Sequence, residues 1–187
     1  MCGDCVAGLR PAPALPPPPG VDDCRALLAY EGAGRELIAR LKYRNHRDAL
    51  PGLAAAAATL VAPDEVDLVT WAPTTPARRR ARGYDQSELV ARAVARHLRR
   101  PCRGLLRRVA GPAQTGRSAA ARRGNPGFVL RRHRPGRVLL VDDVITTGAT
   151  VAAASRCLRE GGVSSPVVLV LARTPLKPTT QSDEETV

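Results

Sequence analysis

A chain of 187 residues, 44% of them hydrophobic and mostly Ala, Val and Leu, can bury one real core and does not call for a second domain. No stretch free of charge and proline reaches the roughly 18–20 residues that a membrane helix needs. The opening MCGDCVAGLRPAPAL lacks the basic flank and apolar run of a secretion signal. A soluble, cytoplasmic protein with no membrane partner is therefore expected.

Charge is the first asymmetry. The net +12 arises between Arg78 and Arg137, where 18 arginines face two acids, Asp85 and Glu88; the rest of the chain sums to −4. A positive field focused in this way attracts polyanions, either nucleic acid or a phosphate-rich metabolite. A solvated basic face would have the same composition. Five cysteines, an odd number with no export signal, argue against a disulfide framework. Cys2 and Cys5 form a C-x2-C pair, half of a zinc knuckle, and no second pair follows to complete four ligands. Cys102 and Cys157 read as small buried residues.

From the amino end, PAPALPPPPG (11–20) is barred by its prolines from helix and inner strand, and reads as an extended linker. CRALLAYEG reads as a short strand turning at Gly32. GRELIARLKY follows as a helix with Leu37, Ile38 and Leu41 on one face. ALPGLAAAAATLV predicts a second helix with Pro51 in its first turn. VDLVTWAP (66–73) is a short apolar run closed by Pro73, the pattern of a buried parallel strand. TPARRRARG reads as a basic loop. DQSELVARAVARHL predicts a helix N-capped by Asp85, with Leu89, Val90, Ala93, Val94 and Leu98 along its apolar face. Pro101 to Pro135 is arginine-rich and broken by glycine and proline, which predicts a long mobile loop or flap. VLLV (138–141) predicts a strand, ATVAAASRCLRE a helix stopped at Gly161-Gly162, and VVLVLA (167–172) a last strand. The tail PLKPTTQSDEETV reads as disordered. Strands alternating with helices imply an α/β fold with a parallel sheet.

The stretch RVLLVDDVITTGAT (137–150) carries the chemistry. In an open parallel sheet, ligands sit at the carboxyl ends of strands, and VLLV delivers Asp142 and Asp143 there. The turn Thr146-Thr147-Gly148-Ala149-Thr150 then opens a helix, whose N-terminal N–H groups and hydroxyls form an anion site. A phosphate at one end and vicinal hydroxyls at the other would satisfy both halves, the layout of a ribose 5-phosphate. A P-loop is excluded because no lysine follows the glycine. A dinucleotide fingerprint is excluded because G-x-G-x-x-G is absent.

The segment VLLVDDVITTGAT resembles the phosphoribosyl-pyrophosphate (PRPP) signature of type I phosphoribosyltransferases. YEG…ELIARLKY (30–43), APTTPARRRARGYDQSELVARAVA (72–95) and QTGRSAAARRGNPGFVL (114–130) extend the likeness to the ComF (competence protein F)/GntX-like family. The resemblance implies a type I phosphoribosyltransferase-like parallel sheet flanked by helices over residues 21–174. Residues 1–20 would be a vestigial or truncated cysteine-containing start plus linker, and 175–187 a tail. It implies that Asp142 and Asp143 contact the ribose hydroxyls and Mg²⁺, and that Thr146, Thr147, Gly148, Ala149 and Thr150 cradle the 5-phosphate. Arg78, Arg79, Arg80 and Arg82, in the loop Ala72–Arg82, would face the pyrophosphate. Gln114, Thr115, Gly116, Arg122 and Arg123 would belong to a flap that excludes water from an activated sugar. The implied reaction is transfer of phosphoribose to a nitrogen nucleophile with release of pyrophosphate; the residues name no general base. The family's usual R-G-[FY]-N-Q reads here Arg82-Gly83-Tyr84-Asp85-Gln86, with Asp in place of Asn. The family's usual two C-x2-C pairs are represented by Cys2/Cys5 alone. Two other readings share the fold: a non-catalytic PRPP-binding regulator, and a competence accessory that contacts single-stranded DNA non-specifically. Against the last, base stacking needs aromatics, and the basic third offers only Tyr84 and Phe128.

Overall fold

The computed structural model describes residues 8–41, 48–109, 127–132 and 136–175. Four strands form one parallel sheet: β1 (Asp23–Ala29), β2 (Leu68–Trp71), β5 (Val138–Ile145) and β6 (Val167–Arg173), in the order β1-β6-β5-β2. β3 (Leu106–Val109) and β4 (Gly127–Leu130) form a separate antiparallel pair. The helices are α1 (Gly32–Leu41), α2 (Leu50–Ala58), α3 (Pro76–Arg82), α4 (Gln86–Leu98) and α5 (Ala149–Glu160).

β5 is the strand on which both layers close. Its alternation sends Leu139 and Val141 toward α1, α2 and α4, and Val138 and Leu140 toward α5 and the hairpin. All four are at most 1% exposed. At about 1.5–3 kcal/mol for each fully buried aliphatic side chain, this run pins the strand that ends in the two aspartates. β6 repeats the device with Leu169 and Leu171 on one face and Val168 and Val170 on the other.

Several segments differ from the sequence reading. TPARRRARG is a helix, α3, and not a loop. Thr75 caps it by accepting from the Arg78 N–H (3.3 Å), Pro76 opens it, and Gly83 ends it in the left-handed region at φ 77°. A run of arginines looks like a solvated loop, yet arginine has high helix propensity once both ends are capped. The stretch 101–135 contains the β3–β4 ladder, Leu106↔Leu130 to Val109↔Gly127, where a wholly irregular loop was expected. The flap residues Gln114, Thr115, Gly116, Arg122 and Arg123 lie outside the described residues, as do Cys2, Cys5, Tyr43 and the tail from 176 onward. β5 runs four residues beyond VLLV, so both aspartates lie within the ladder.

The proline-rich segment is extended, and it is docked. The Ala12 N–H donates to the Leu27 carbonyl and the Ala29 N–H to that of Arg10. Arg173 donates to the carbonyls of Leu15 (3.2 Å) and Pro16 (2.6 Å). Proline lacks a donor and can lie beside an edge strand while its carbonyls find partners. Cys157 is buried, and Cys24 and Cys102 are half-buried. Among the described residues no helix is long and apolar enough to cross a membrane.

α1 lies directly on the strand it leaves: a Cβ on Gly34 would stand 2.3 Å from the Ala29 carbonyl oxygen. Gly34→Ala should therefore cost about 1–3 kcal/mol of stability, read as a lower urea midpoint with an unchanged slope. An unchanged midpoint would show that α1 does not approach β1 this closely.

Candidate functional site

The connection from β2 leaves to the α4 side of the sheet, and that from its neighbour β5 leaves to the α5 side. Adjacent parallel strands whose connections diverge leave a crevice at their carboxyl ends, where ligands bind in open α/β sheets. A cavity of about 240 Å³ lies there, lined among others by Ala72, Thr74, Asp142, Asp143, Thr146 and Thr150.

Asp142 is 7% exposed. Its Oδ1 accepts from the Ser87 hydroxyl (2.7 Å) and the Asp143 N–H (2.9 Å), and Asp143 Oδ1 accepts from the Val144 N–H (2.8 Å). Burial, reinforced by the charge of Asp143, pushes the Asp142 carboxyl up to about 8, against the opposing hydrogen bond from Ser87. A buried carboxyl beside a half-buried one favours a cation or a set of hydroxyl donors between them.

The Thr146–Thr150 turn adjoins the acids. Thr146 and Thr150 reach the main cavity, and Thr147, Gly148 and Ala149 line a hollow of about 30 Å³ beside it. Gly148 caps α5 in the left-handed region at φ 80°, and a Cβ there would collide with Pro18 at 2.4 Å. The turn is thus glycine-dependent on two counts, and its proline neighbour comes from the docked amino-terminal segment.

Of the four arginines expected to face the cavity, Arg78 and Arg82 line it. Arg79 and Arg80 are exposed and do not. Helical spacing explains the split, since residues i and i+4 share a face. The sequence reading missed Arg108, which β3 carries into the same cavity. Its guanidinium stacks over Phe128, 5.3 Å from the ring centre, and burial lowers its pKa. Tyr30, for which the sequence allows either core packing or a pocket wall, does both, packing on the core and lining the cavity; the buried trio Asp85, Gln86 and Ser87 was not singled out as part of the site. A signal for the trio existed: Gln86 and Ser87 fall on the stripe of Val90, Ala91 and Val94, and polar residues on an apolar stripe ask for a reason. Asp85 sits at the N-cap as expected; its side chain accepts from the Thr74 N–H (2.8 Å) in the turn leaving β2, and the Ser87 and Glu88 N–H groups of its own helix also favour its charged form against burial.

An unfolded chain releases the Asp142 proton near pH 4, and the folded protein holds it to about 8. Between those values the folded state binds more protons, so this group's contribution to stability falls as pH rises. Without divalent cation, urea midpoints of the wild type should decline from pH 5 to 8 more steeply than those of Asp142→Asn. Parallel profiles would contradict the buried, proton-holding carboxyl.

No protein-family model matches the chain. It is 39% identical to competence protein F of Haemophilus influenzae over 104 residues, 51% of this chain and 45% of that protein. It is 34% identical to the DNA utilization protein YhgH of Escherichia coli over 113 residues, 58% and 50% of the two chains. It is 26% identical to competence protein ComFC of Bacillus subtilis over 149 residues, 76% and 60%. The chain spans about half the length of the curated relatives it matches. Among solved structures, the allosteric regulatory enzyme of purine biosynthesis aligns with a TM-score of 0.50 at 23% identity, over 71% of this chain and 30% of that one, which shows a shared fold. The chain is thus similar in sequence to the competence and DNA utilization proteins over about half of their length, and its parallel sheet flanked by helices shares the fold of the purine-biosynthesis enzyme.

Proposed function

We propose that the chain binds PRPP in the β2–β5 cleft and transfers its phosphoribose to a nitrogen nucleophile. One observation carries this reading: a single cavity gathers Asp142 and Asp143, Thr146 and Thr150 of the adjoining turn, and Arg78, Arg82 and Arg108. Each end of PRPP then has its own partner. The turn holds the 5-phosphate with N–H groups and hydroxyls, the carboxylates accept from the ribose hydroxyls, and the arginines face the diphosphate. In the reaction the bond from the anomeric carbon to the diphosphate oxygen breaks, the electron pair leaving with pyrophosphate, and a carbon–nitrogen bond forms. Arg78, Arg82 and Arg108 stabilise the charge that develops on the leaving group. Asp142 and Asp143 favour the positive character that develops on the sugar.

The acidic pair also fits Mg²⁺, which is commonly held by one or two carboxylates together with substrate oxygens. A cation would offset the burial and the charge of Asp143, which together raise the Asp142 pKa. When bound between Asp142, Asp143 and the ligand, Mg²⁺ would neutralise part of the diphosphate charge. Among the described residues no cluster of three or more His, Cys, Asp or Glu offers an all-protein metal cage, so the ligand's own oxygens belong to this reading.

A second reading, contact with single-stranded DNA, draws on the name of one relative, a DNA utilization protein, and on a groove of about 440 Å³ at the far end of α4. That groove is lined by Arg92, Ala95, Arg96, Arg99, Arg100 and Cys102. It lies apart from the acids, so the two readings are compatible.

Calorimetric titration with PRPP separates them. Binding should require Mg²⁺ and fall at least about tenfold in Asp142→Ala/Asp143→Ala and in Arg78→Ala/Arg82→Ala, consistent with loss of charge-assisted bonds. Arg79→Ala/Arg80→Ala should bind nearly as the wild type does. Equal losses in both arginine pairs would mean diffuse attraction and not a built site. Release of pyrophosphate with an amine acceptor identifies an enzyme, and tight binding without turnover identifies a regulator. An oligonucleotide bound with a steep salt dependence and no dependence on PRPP supports the DNA reading.

A further inference from the structure

The first turn of α4 touches both walls of the cleft. Asp85 Oδ2 accepts from the Thr74 N–H (2.8 Å) in the turn leaving β2, and Ser87 donates to Asp142 Oδ1 (2.7 Å) within β5. Asp85 is 4% exposed and Ser87 5%. The turn 72–75 has few other ties. The Ala72 N–H donates to Val141 O (3.0 Å), which extends the β2–β5 ladder by one residue. Pro73 has no N–H, and the Arg108 guanidinium reaches the Pro73 carbonyl only at 3.5 Å, a weak contact. Among the described residues, no side chain other than Asp85 accepts from a backbone N–H of this turn. The turn in turn sets α3, because Thr75 caps that helix through the Arg78 N–H (3.3 Å). α3 carries Arg78 and Arg82 into the cavity.

We infer that Asp85 is a positioning residue for the diphosphate end of the ligand. By holding the Thr74 N–H it fixes the turn 72–75, and through the Thr75 cap it fixes the approach of Arg78 and Arg82. The assignment rests on the PRPP reading of this cleft and adds to it the side chain that sets selectivity for a diphosphate over a plain sugar phosphate.

A carboxylate beside a diphosphate site needs an account. Asp85 stands at the positive end of the α4 dipole, near Arg78 and Arg82 of α3 and Arg108 of β3, with Glu88 on its own helix and Asp142 on β5 as opposing charges. Burial raises its pKa. What the turn requires is the acceptor oxygen, and the charge is dispensable. Asparagine supplies that oxygen at the same reach. Serine retains helix-capping character but is too short to span to Thr74.

The test is calorimetric titration of the intact chain with PRPP and, separately, with ribose 5-phosphate, both with Mg²⁺. Asp85→Asn should bind PRPP within about threefold of the wild type or more tightly. Asp85→Ser should lose about tenfold or more for PRPP, in keeping with loss of one bond to a charged acceptor, while ribose 5-phosphate binding changes by less than about twofold. Thr74→Pro, which removes the donor from the other side, must reproduce the selective loss, and it serves if Asp85→Ser does not fold. Equal losses for both ligands, or no loss in either variant, overturn the assignment while the PRPP reading stands. A wild type that binds neither ligand overturns that reading, and the assignment falls with it.

Discussion

Two carboxyl groups on consecutive residues at the end of the central strand govern the rest of this structure. β5 is pulled into the core by Val138 to Val141, and that burial carries Asp142 with it to 7% exposure. The fold answers with a hydroxyl from α4 and a backbone N–H on Asp142 Oδ1. It answers also with a proton, which desolvation and Asp143 hold on the group far above the usual carboxylate range. An arrangement costly to the free protein becomes favourable once hydroxyls or a cation enter. The hydrophobic pattern of one strand and the chemistry of the site are thus one constraint seen from two ends.

Topology supplies the room. Because the sheet runs β1-β6-β5-β2 and the connections from β2 and β5 depart to opposite faces, the crevice opens between the turn at 72–75 and the turn at 146–150. The two turns are tied differently. The second is set by Gly148 at φ 80° against Pro18, on a segment anchored by Arg173. The first depends on α4, whose amino-terminal residues reach Thr74 and Asp142 at once. Loops that recognise a ligand need such ties because their own backbones make few hydrogen bonds.

Much of this was legible in the chain. VLLV followed by DDVITTGAT announces a buried strand, an acidic edge and a turn that opens a helix, because an apolar run and a Thr/Gly-rich helix start are each local signals. The arginines are not separable on sequence if 76–82 reads as a loop. Thr75-Pro76 and Gly83 are the caps that would have given a seven-residue helix, and its periodicity then selects Arg78 and Arg82. Arg108 was illegible for a different reason. It reaches the cavity through a two-stranded ladder whose partners, Leu106 and Leu130, are far apart in sequence, and no local pattern encodes such pairing.

The central claim is that this cleft grips both ends of one molecule. Phosphorus NMR resolves the 5-phosphate of PRPP from its diphosphate, so each end is reported separately as the protein is added with Mg²⁺. The account predicts that both sets of signals shift and broaden saturably at the same protein concentration. A response confined to the diphosphate would mean that the arginines hold any polyanion and the Thr146–Thr150 turn holds nothing, and it would contradict the account.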